Sequence, residues 1–267
     1  MSTPYSDDYF QRFSGIARLY GTPALAALYN AHFTVIGLGG VGTWVAEALA
    51  RSGLGQLTLI ELDDVCTTNT NRQIHALRSQ VGRPKLQVMG ERLTDINPDI
   101  KLNLVSDFLT KKNIPDLIKP EQDIVIDAID STHIKTGLVS YCSARKIRLI
   151  TIGSSGGKRD PQRVTVSDLG QTQCDPMLAK IRTQLYRHYN FSRDKNRKFR
   201  VDAVYSTEQM VYPKPDGSVC MDKQALDNGV KLDCAGGFGS CTMVTGTFGF
   251  VAATKAIERY LGVARKN

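Results

Sequence analysis

From His32 onward, short apolar runs alternate with longer stretches in which apolar residues recur every three or four positions. The runs predict strands at Phe33 to Gly37, Leu57 to Glu61, Leu102 to Val105, Ile124 to Asp127 and Leu149 to Ile152. The helical spacing between them predicts helices at Val41 to Arg51, Pro84 to Ile96 and Thr132 to Arg145. Strands that are apolar throughout are buried on both faces, and an intervening helix returns the chain to the same end of the sheet. The pattern therefore predicts a doubly wound α/β fold, a mostly parallel sheet with helices on both faces.

After Gly153 the rhythm changes. Ser154 to Lys158 reads as a loop, Arg163 to Ser167 alternates like a strand with one exposed face, and Val201 to Val211 is a further β-like run. A turn-rich stretch then ends at Pro213, Pro215, Asp216 and Gly217. These features predict C-terminal antiparallel strands that extend the sheet, followed by a C-terminal helix. One domain over residues 1–267 is expected: an N-terminal arm with helices at 1–30, the doubly wound part at 31–155 and the extension at 156–267. Residues Cys234 to Thr254 carry no charge across 21 positions, the length of a membrane span. Ten of them are Gly, Ser or Thr, which weakens the hydropathy and favours a helix packed closely on the sheet over a span.

Composition narrows the class further. With 267 residues, 42% hydrophobic and 22% charged, the chain is neither disordered nor fibrous. Its six cysteines stand at 66, 142, 174, 220, 234 and 241, never as Cys-x-x-Cys, so no zinc ribbon or dithiol pair is available and no structural zinc is expected. A reducing compartment follows. Two acids and no apolar run at the N-terminus leave no secretory signal, so a cytoplasmic location is expected. The net charge of +8 is unevenly placed: residues 1–150 hold 16 basic against 15 acidic side chains, residues 151–267 hold 18 against 11. Within 180–200 eight basic residues face one acid, Asp194, and Arg193, Lys195, Arg197, Lys198 and Arg200 are the densest part. Such a cluster attracts nucleic-acid phosphates, and the interleaved Tyr186, Tyr189, Phe191 and Phe199 offer faces for stacked bases. The same run reads otherwise as a solvated loop or helix face.

The most specific motif is Gly37-Leu-Gly39-Gly40-Val-Gly42, placed between a predicted strand and a predicted helix. Glycines 37, 39 and 42 match the dinucleotide fingerprint of a Rossmann-like fold, where a Cβ would block the tight turn, the phosphate or the helix packing. Glu61 ends the next strand, 19 residues beyond Gly42, where an acid accepts hydrogen bonds from ribose hydroxyls. This set specifies a nucleotide without saying which.

The residues after Glu61 add to it: Asn69, Arg72 and Gln73 in one run, Lys85 after Gly82-Arg-Pro84, and Asp127-Ala-Ile-Asp130 closing the fourth strand. Over about the first 155 residues the chain resembles the ubiquitin-activating-like adenylating superfamily, which includes the activators of bacterial sulfur-carrier proteins. The resemblance implies that Asn69, Arg72 and Lys85 contact the ATP phosphates, that Glu61 holds the ribose and that Asp130 binds Mg²⁺. It also implies a homodimer, with an N-terminal arm crossing to the other subunit's ATP. Here Arg12 and Arg18 flank the place, occupied by Gly15, where the sulfur-carrier activators have their arginine.

The missing Cys-x-x-Cys pairs, the basic segment and the stretch Asp233-Cys234-Ala-Gly-Gly-Phe-Gly-Ser separate this chain from those activators. Over essentially its whole length it resembles the family of tRNA threonylcarbamoyladenosine dehydratases. The resemblance implies a tRNA partner and ATP-dependent closure of the threonylcarbamoyl side chain on the adenosine at position 37, next to the anticodon, into a ring. The carboxylate is adenylated, pyrophosphate and then AMP leave, and no stable carrier-protein thioester is expected. A sulfur-transfer protein is a further partner the resemblance admits, with Cys234 as the accessory catalytic or sulfur-handling thiol. Cys66, Cys142 and Cys241 flank or lie in apolar runs and are expected in the core, and His75 is expected to be a satisfied structural histidine. Two other readings share the ATP pocket: an adenylyltransferase for the C-terminal glycine of a small carrier protein, and a nucleotide-binding module without chemistry.

Overall fold

The computed structural model describes residues 4–194, 196–214, 216–221 and 238–262. Helices α1 (Asp7–Tyr20) and α2 (Thr22–Asn30) precede the alternating part. That part runs β1 (His32–Ile36), α3 (Gly42–Arg51), β2 (Gln56–Ile60), α4 (Lys85–Ile96), β3 (Lys101–Val105), α5 (Ile114–Leu117), β4 (Ile124–Asp127), α6 (Thr132–Arg145) and β5 (Leu149–Ile152). The remainder is β6 (Val164–Asp168), α7 (Pro176–His188), β7 (Asp202–Ser206), the short strands β8 (Tyr212–Pro213) and β9 (Val219–Cys220), and α8 (Thr242–Leu261).

The sheet order is β3-β2-β1-β4-β5-β7-β6. Strands β1 to β5 are parallel, as the apolar runs predict. The order of strand addition reverses between β1–β2–β3 on one side and β4–β5 on the other, and at that switch ligands reach the carboxyl ends of the strands. The extension is mixed. β7 joins β5 in parallel, while β6 lies outside it and antiparallel, and β8 and β9 form a separate antiparallel ribbon.

Two apolar layers hold the sheet. On one face Phe33, Val35 and Leu57 meet Val45 and Leu49 of α3, Met89 and Leu93 of α4, and Val244, Phe248 and Ala252 of α8. On the other, Ile36, Val125 and Leu149 meet Leu138 and Val139 of α6 and Leu178, Ile181 and Leu185 of α7. The small residues of α8 are explained by its contact with α3, since a Cβ on Gly249 would stand 2.5 Å from the Trp44 Cβ. Among the described residues no helix is long and apolar enough to cross a membrane; residues 234–237 lie outside them.

Of the two readings of the basic segment, the helix face holds for its first half, and the expected stacking faces need correction. Helix α7 occupies the first half of the basic segment: Asp175 caps it, accepting from the Leu178 amide at 2.9 Å, and Pro176 sits where a helix needs no amide donor. The aromatic residues there are mostly occupied by the fold rather than free for bases. Phe199 is buried, with its ring 4.9 Å from Phe191 and 5.9 Å from Tyr186.

Candidate nucleotide site

The site is built from the turn that leaves β1. Gly37 takes φ +87°, a left-handed conformation that a side chain disfavours, and a Cβ on Gly42 would stand 1.8 Å from the Gly37 carbonyl oxygen. These two glycines close the turn tightly enough to start α3 there. A Cβ on Gly39 would meet nothing within 4 Å, so the loop leaves open space on that side. No side chain caps α3; the Thr43 and Trp44 amides donate to the Gly39 and Val41 carbonyls at 3.3 and 3.0 Å, so the loop's own amides at Gly40, Val41 and Gly42 are the ones placed toward an anion.

Glu61 is buried, and backbone amides already engage both of its carboxylate oxygens. One carboxylate oxygen accepts from the Leu38 amide at 2.8 Å; the other accepts from the Leu62 and Asp63 amides at 2.9 and 3.0 Å. It thereby ties the glycine loop to the segment after β2. Lys85 opens α4, buried, with its Nζ 3.0 Å from Asp63 and 3.9 Å from Glu61. Arg72 reaches the glycine loop from another direction: a Cβ on Gly40 would lie 3.1 Å from its Cγ and Cδ. Its guanidinium donates to the Thr68 carbonyl at 2.7 Å and to the Asn71 side chain at 2.9 Å. The structure thus brings Gly37, Gly39, Gly40, Gly42, Glu61, Arg72 and Lys85 together at the carboxyl ends of β1 and β2.

Asn69 lies on the same segment, but its side-chain oxygen caps a short turn, accepting from the Cys66 amide at 3.0 Å. Asp130 is exposed on the loop that follows β4. Beneath it sits a group that sequence reasoning missed. Asp127 and Lys135 are both fully buried and 2.9 Å apart; Lys135 also donates to the Asp127 carbonyl, and Thr151 donates to the carboxylate at 2.8 Å. The signal was a carboxylate ending an otherwise apolar strand. Also missed were the supports of Arg72. Trp44 Nε1 donates to its carbonyl at 3.0 Å, and Thr242, on α8, donates to the Asn71 carbonyl at 2.7 Å.

The other candidates fall elsewhere. Arg12 pairs with Asp8 at 2.8 Å on α1, which is seated by Tyr9 on the Gly53 carbonyl, before β2 begins. Arg18 bonds Ser14 on the same helix at 3.3 Å. Neither reaches the glycine loop of its own chain. Cys142 is buried in the core, and burial pushes its thiol up to about 12; Cys241, half-buried before α8, packs against the core edge, whereas Cys66 is exposed and its core expectation is corrected. Cys66 surfaces because it begins the turn that Asn69 caps. Cys234 and Lys195 lie outside the described residues. His75 is buried, yet neither ring nitrogen finds a hydrogen-bond partner among the described residues, so it is structural without being satisfied. Burial, with Lys85 and Arg92 nearby, lowers its pKa to about 4.

Within the basic segment Arg193, Arg197, Lys198 and Arg200 are exposed, with Arg193 held 5.4 Å over the Tyr186 ring. They stand where β7 begins, at the opposite end of the sheet from the glycine loop.

A family model described as the ThiF family matches residues 13–267. The chain is 48% identical over 266 residues to the tRNA threonylcarbamoyladenosine dehydratase of Escherichia coli, covering 100% of this chain and 99% of the relative. A crystal structure of the E. coli tRNA N6-threonylcarbamoyladenosine dehydratase in complex with ATP superposes with a TM-score of 0.85 at 45% identity, covering 98% of this chain and 99% of that one. The similarity to the E. coli sulfur carrier protein ThiS adenylyltransferase is shorter, 37% identity over 129 residues, 48% of this chain and 51% of that relative.

Proposed function

Because the chain belongs to the ThiF family, we propose that it is an ATP-dependent, tRNA-modifying enzyme that closes N6-threonylcarbamoyladenosine at position 37 to its cyclic form. The observation that carries this reading is the extent of the similarity. The match to the dehydratase covers the chain end to end, whereas the match to the sulfur-carrier activator covers 129 residues, 48% of it. The first half supplies a nucleotide pocket common to several activities; the second half supplies the extension and its basic surface.

The residues at the carboxyl end of the sheet fit a bound triphosphate. The loop amides of Gly40, Val41 and Gly42 beside the open face of Gly39, with Arg72 and Lys85 close by, offer donors and two cations for phosphate oxygens. The carbonyl-bound backbone of Arg72 fixes where its planar fork can reach. Glu61 holds the loop through three amides and keeps acceptor capacity for ribose hydroxyls. Asp130, exposed beyond β4, is the carboxylate that would hold Mg²⁺, which would offset phosphate charge there.

The chemistry follows from these parts. The threonyl carboxylate attacks the α-phosphorus of ATP, pyrophosphate leaves, and a mixed anhydride with AMP forms. A nitrogen of the adjacent carbamoyl group loses its proton and attacks the activated carbonyl, expelling AMP and closing the ring. The net change to the nucleoside is loss of one water. Closure is intramolecular and gains from high effective concentration, so the protein chiefly positions phosphates and excludes water. Arg12 or Arg18 joins the phosphates only if a second copy of the chain presents its arm, so a homodimer belongs to this reading. A sulfur-transfer partner acting on Cys234 is an addition that the ring closure does not need.

Pyrophosphate release measured with threonylcarbamoyl-tRNA, with a sulfur-carrier protein and with neither tests the proposal. Release that requires the tRNA supports it. Release that requires the carrier protein replaces it with the activator reading, and tight ATP binding without release in any arm leaves a nucleotide-binding module.

A further inference from the structure

At the end of the sheet away from the glycine loop, the chain forms an open groove of about 1120 Å³. Four separate stretches line it: Ile124 at the start of β4, the end of α6 with the start of β5, residues within 189–201, and the last turn of α8. They bring six cations to it: Lys146, Arg148, Arg197, Lys198, Arg200 and Arg259. No Asp or Glu is among the described residues that line it, although Asp202, beside the rim, lies 3.6 Å from Arg259. Three of these cations are far in sequence from the basic segment, so the charge is gathered by folding rather than by one run of residues.

A second observation concerns the backbone. Among the described residues four that are not glycine have positive φ, and three of them line this groove: Lys146 at 58°, Asn190 at 55° and Arg200 at 62°. Left-handed backbone is disfavoured for a residue with a Cβ, and the usual solution at a helix end such as Lys146 is glycine. Long basic side chains stand at two positions whose backbone favours glycine. At the third turn the cost is offset by Asp168, whose carboxylate accepts from the Phe199 and Arg200 amides at 2.9 and 2.7 Å and so holds Arg200 in place.

We propose that this groove docks the phosphodiester backbone of an RNA, at a distance from the reacting nucleoside of at least a strand's length, about 13 to 17 Å. This rests on the tRNA reading above and deepens it by naming a binding surface that includes Lys146, Arg148 and Arg259. Concavity and cations on facing walls suit a polyanionic strand, and the seryl and asparaginyl side chains between them, Ser143, Asn190 and Asn196 among them, suit phosphate and sugar oxygens.

The test uses the full chain carrying Lys146→Gly and Arg200→Gly together. Glycine fits the backbone at both positions, so the melting temperature is expected to hold or rise while two phosphate contacts are lost. Binding of fluorescently labelled tRNA, followed from 50 to 300 mM KCl, is expected to weaken about tenfold at the low-salt end, with the slope of log affinity against log salt shallower by about 1.5. Charge reversal by Arg197→Glu and Lys198→Glu is expected to weaken it further, and in turnover the loss falls on KM for the tRNA. If the wild-type chain binds tRNA and releases pyrophosphate with it, yet both variants keep its affinity and slope, the groove proposal is overturned and the tRNA reading stands. If the wild type neither binds tRNA nor releases pyrophosphate with it, both fail. Displacement of tRNA by polyglutamate at equal charge concentration would make the groove a dock for acidic protein and overturn the RNA assignment.

Discussion

The two ends of the sheet are charged in opposite styles. At the carboxyl end, charge is buried and held: Glu61 and Lys85 are each less than a tenth exposed, and the Asp127–Lys135 pair is sealed completely. At the amino end, Arg197, Lys198 and Arg200 stand in solvent around a groove. Buried charge pre-organises a few groups for a small, highly charged ligand and makes each of them indispensable. Exposed charge spread over several side chains suits a long polyanion, and each member contributes little alone. The comparison can be broken at either end.

The largest effect is expected from Lys135→Met, which leaves Asp127 buried without its cation; removal of one partner from such a pair costs about 3 to 5 kcal/mol. Urea unfolding measures this, and the double variant Asp127→Leu/Lys135→Met should recover most of the stability. A single-variant cost within the range of surface substitutions would show that the carboxyl end is not pinned by this pair.

Arg72→Ala comes next. Loss of one pre-organised donor for transition-state charge lowers turnover by about 10² to 10³, read as pyrophosphate release with modified tRNA. Asp130→Ala should likewise abolish ATP-dependent cyclisation while tRNA is still retained on a filter. Undiminished turnover in either variant would remove that residue from the site.

His75 sharpens the contrast through pH. Its pKa, lowered from 6.5 to about 4 in the fold, means that the unfolded chain binds the proton more readily. Its stabilising contribution is therefore complete above pH 6.5 and is lost as pH falls toward 4, a change of roughly 3 kcal/mol. His75→Leu should remove that slope from a series of urea titrations across this range; an unchanged slope would place its origin elsewhere.

The smallest effect is expected at the amino end. Arg197→Ala alone should weaken tRNA binding by a factor of about two to five, more at low salt than at high. A loss as severe as that of Arg72 in turnover would mean that the groove is as tightly organised as the nucleotide site.

How far each end was legible follows from the same physics. Strand and helix periodicity reports burial, so β1 to β5 and helices α3, α4 and α6 could be located to within one residue at each end. The glycines could be read because φ and close approach permit no other residue at Gly37 and Gly42. Lys135 was not legible, since one lysine on a helix gives no sign that it turns inward to a strand carboxylate. Helix α7 carried a readable signal in Asp175, Pro176 and the apolar residues 178, 181 and 185, overlaid by the charge of the basic segment. The groove could not be read at all, because Lys146, Arg148 and Arg259 meet the 197–200 stretch only through the tertiary fold.

The most direct test of the account is the mass of the modified nucleoside after the purified chain, ATP, Mg²⁺ and threonylcarbamoyl-tRNA are incubated together and the tRNA is digested gently. The account predicts a nucleoside lighter by one water, formed only with ATP and matched by equal amounts of AMP and pyrophosphate. An unchanged nucleoside in the presence of ATP hydrolysis, or conversion without ATP, would contradict it.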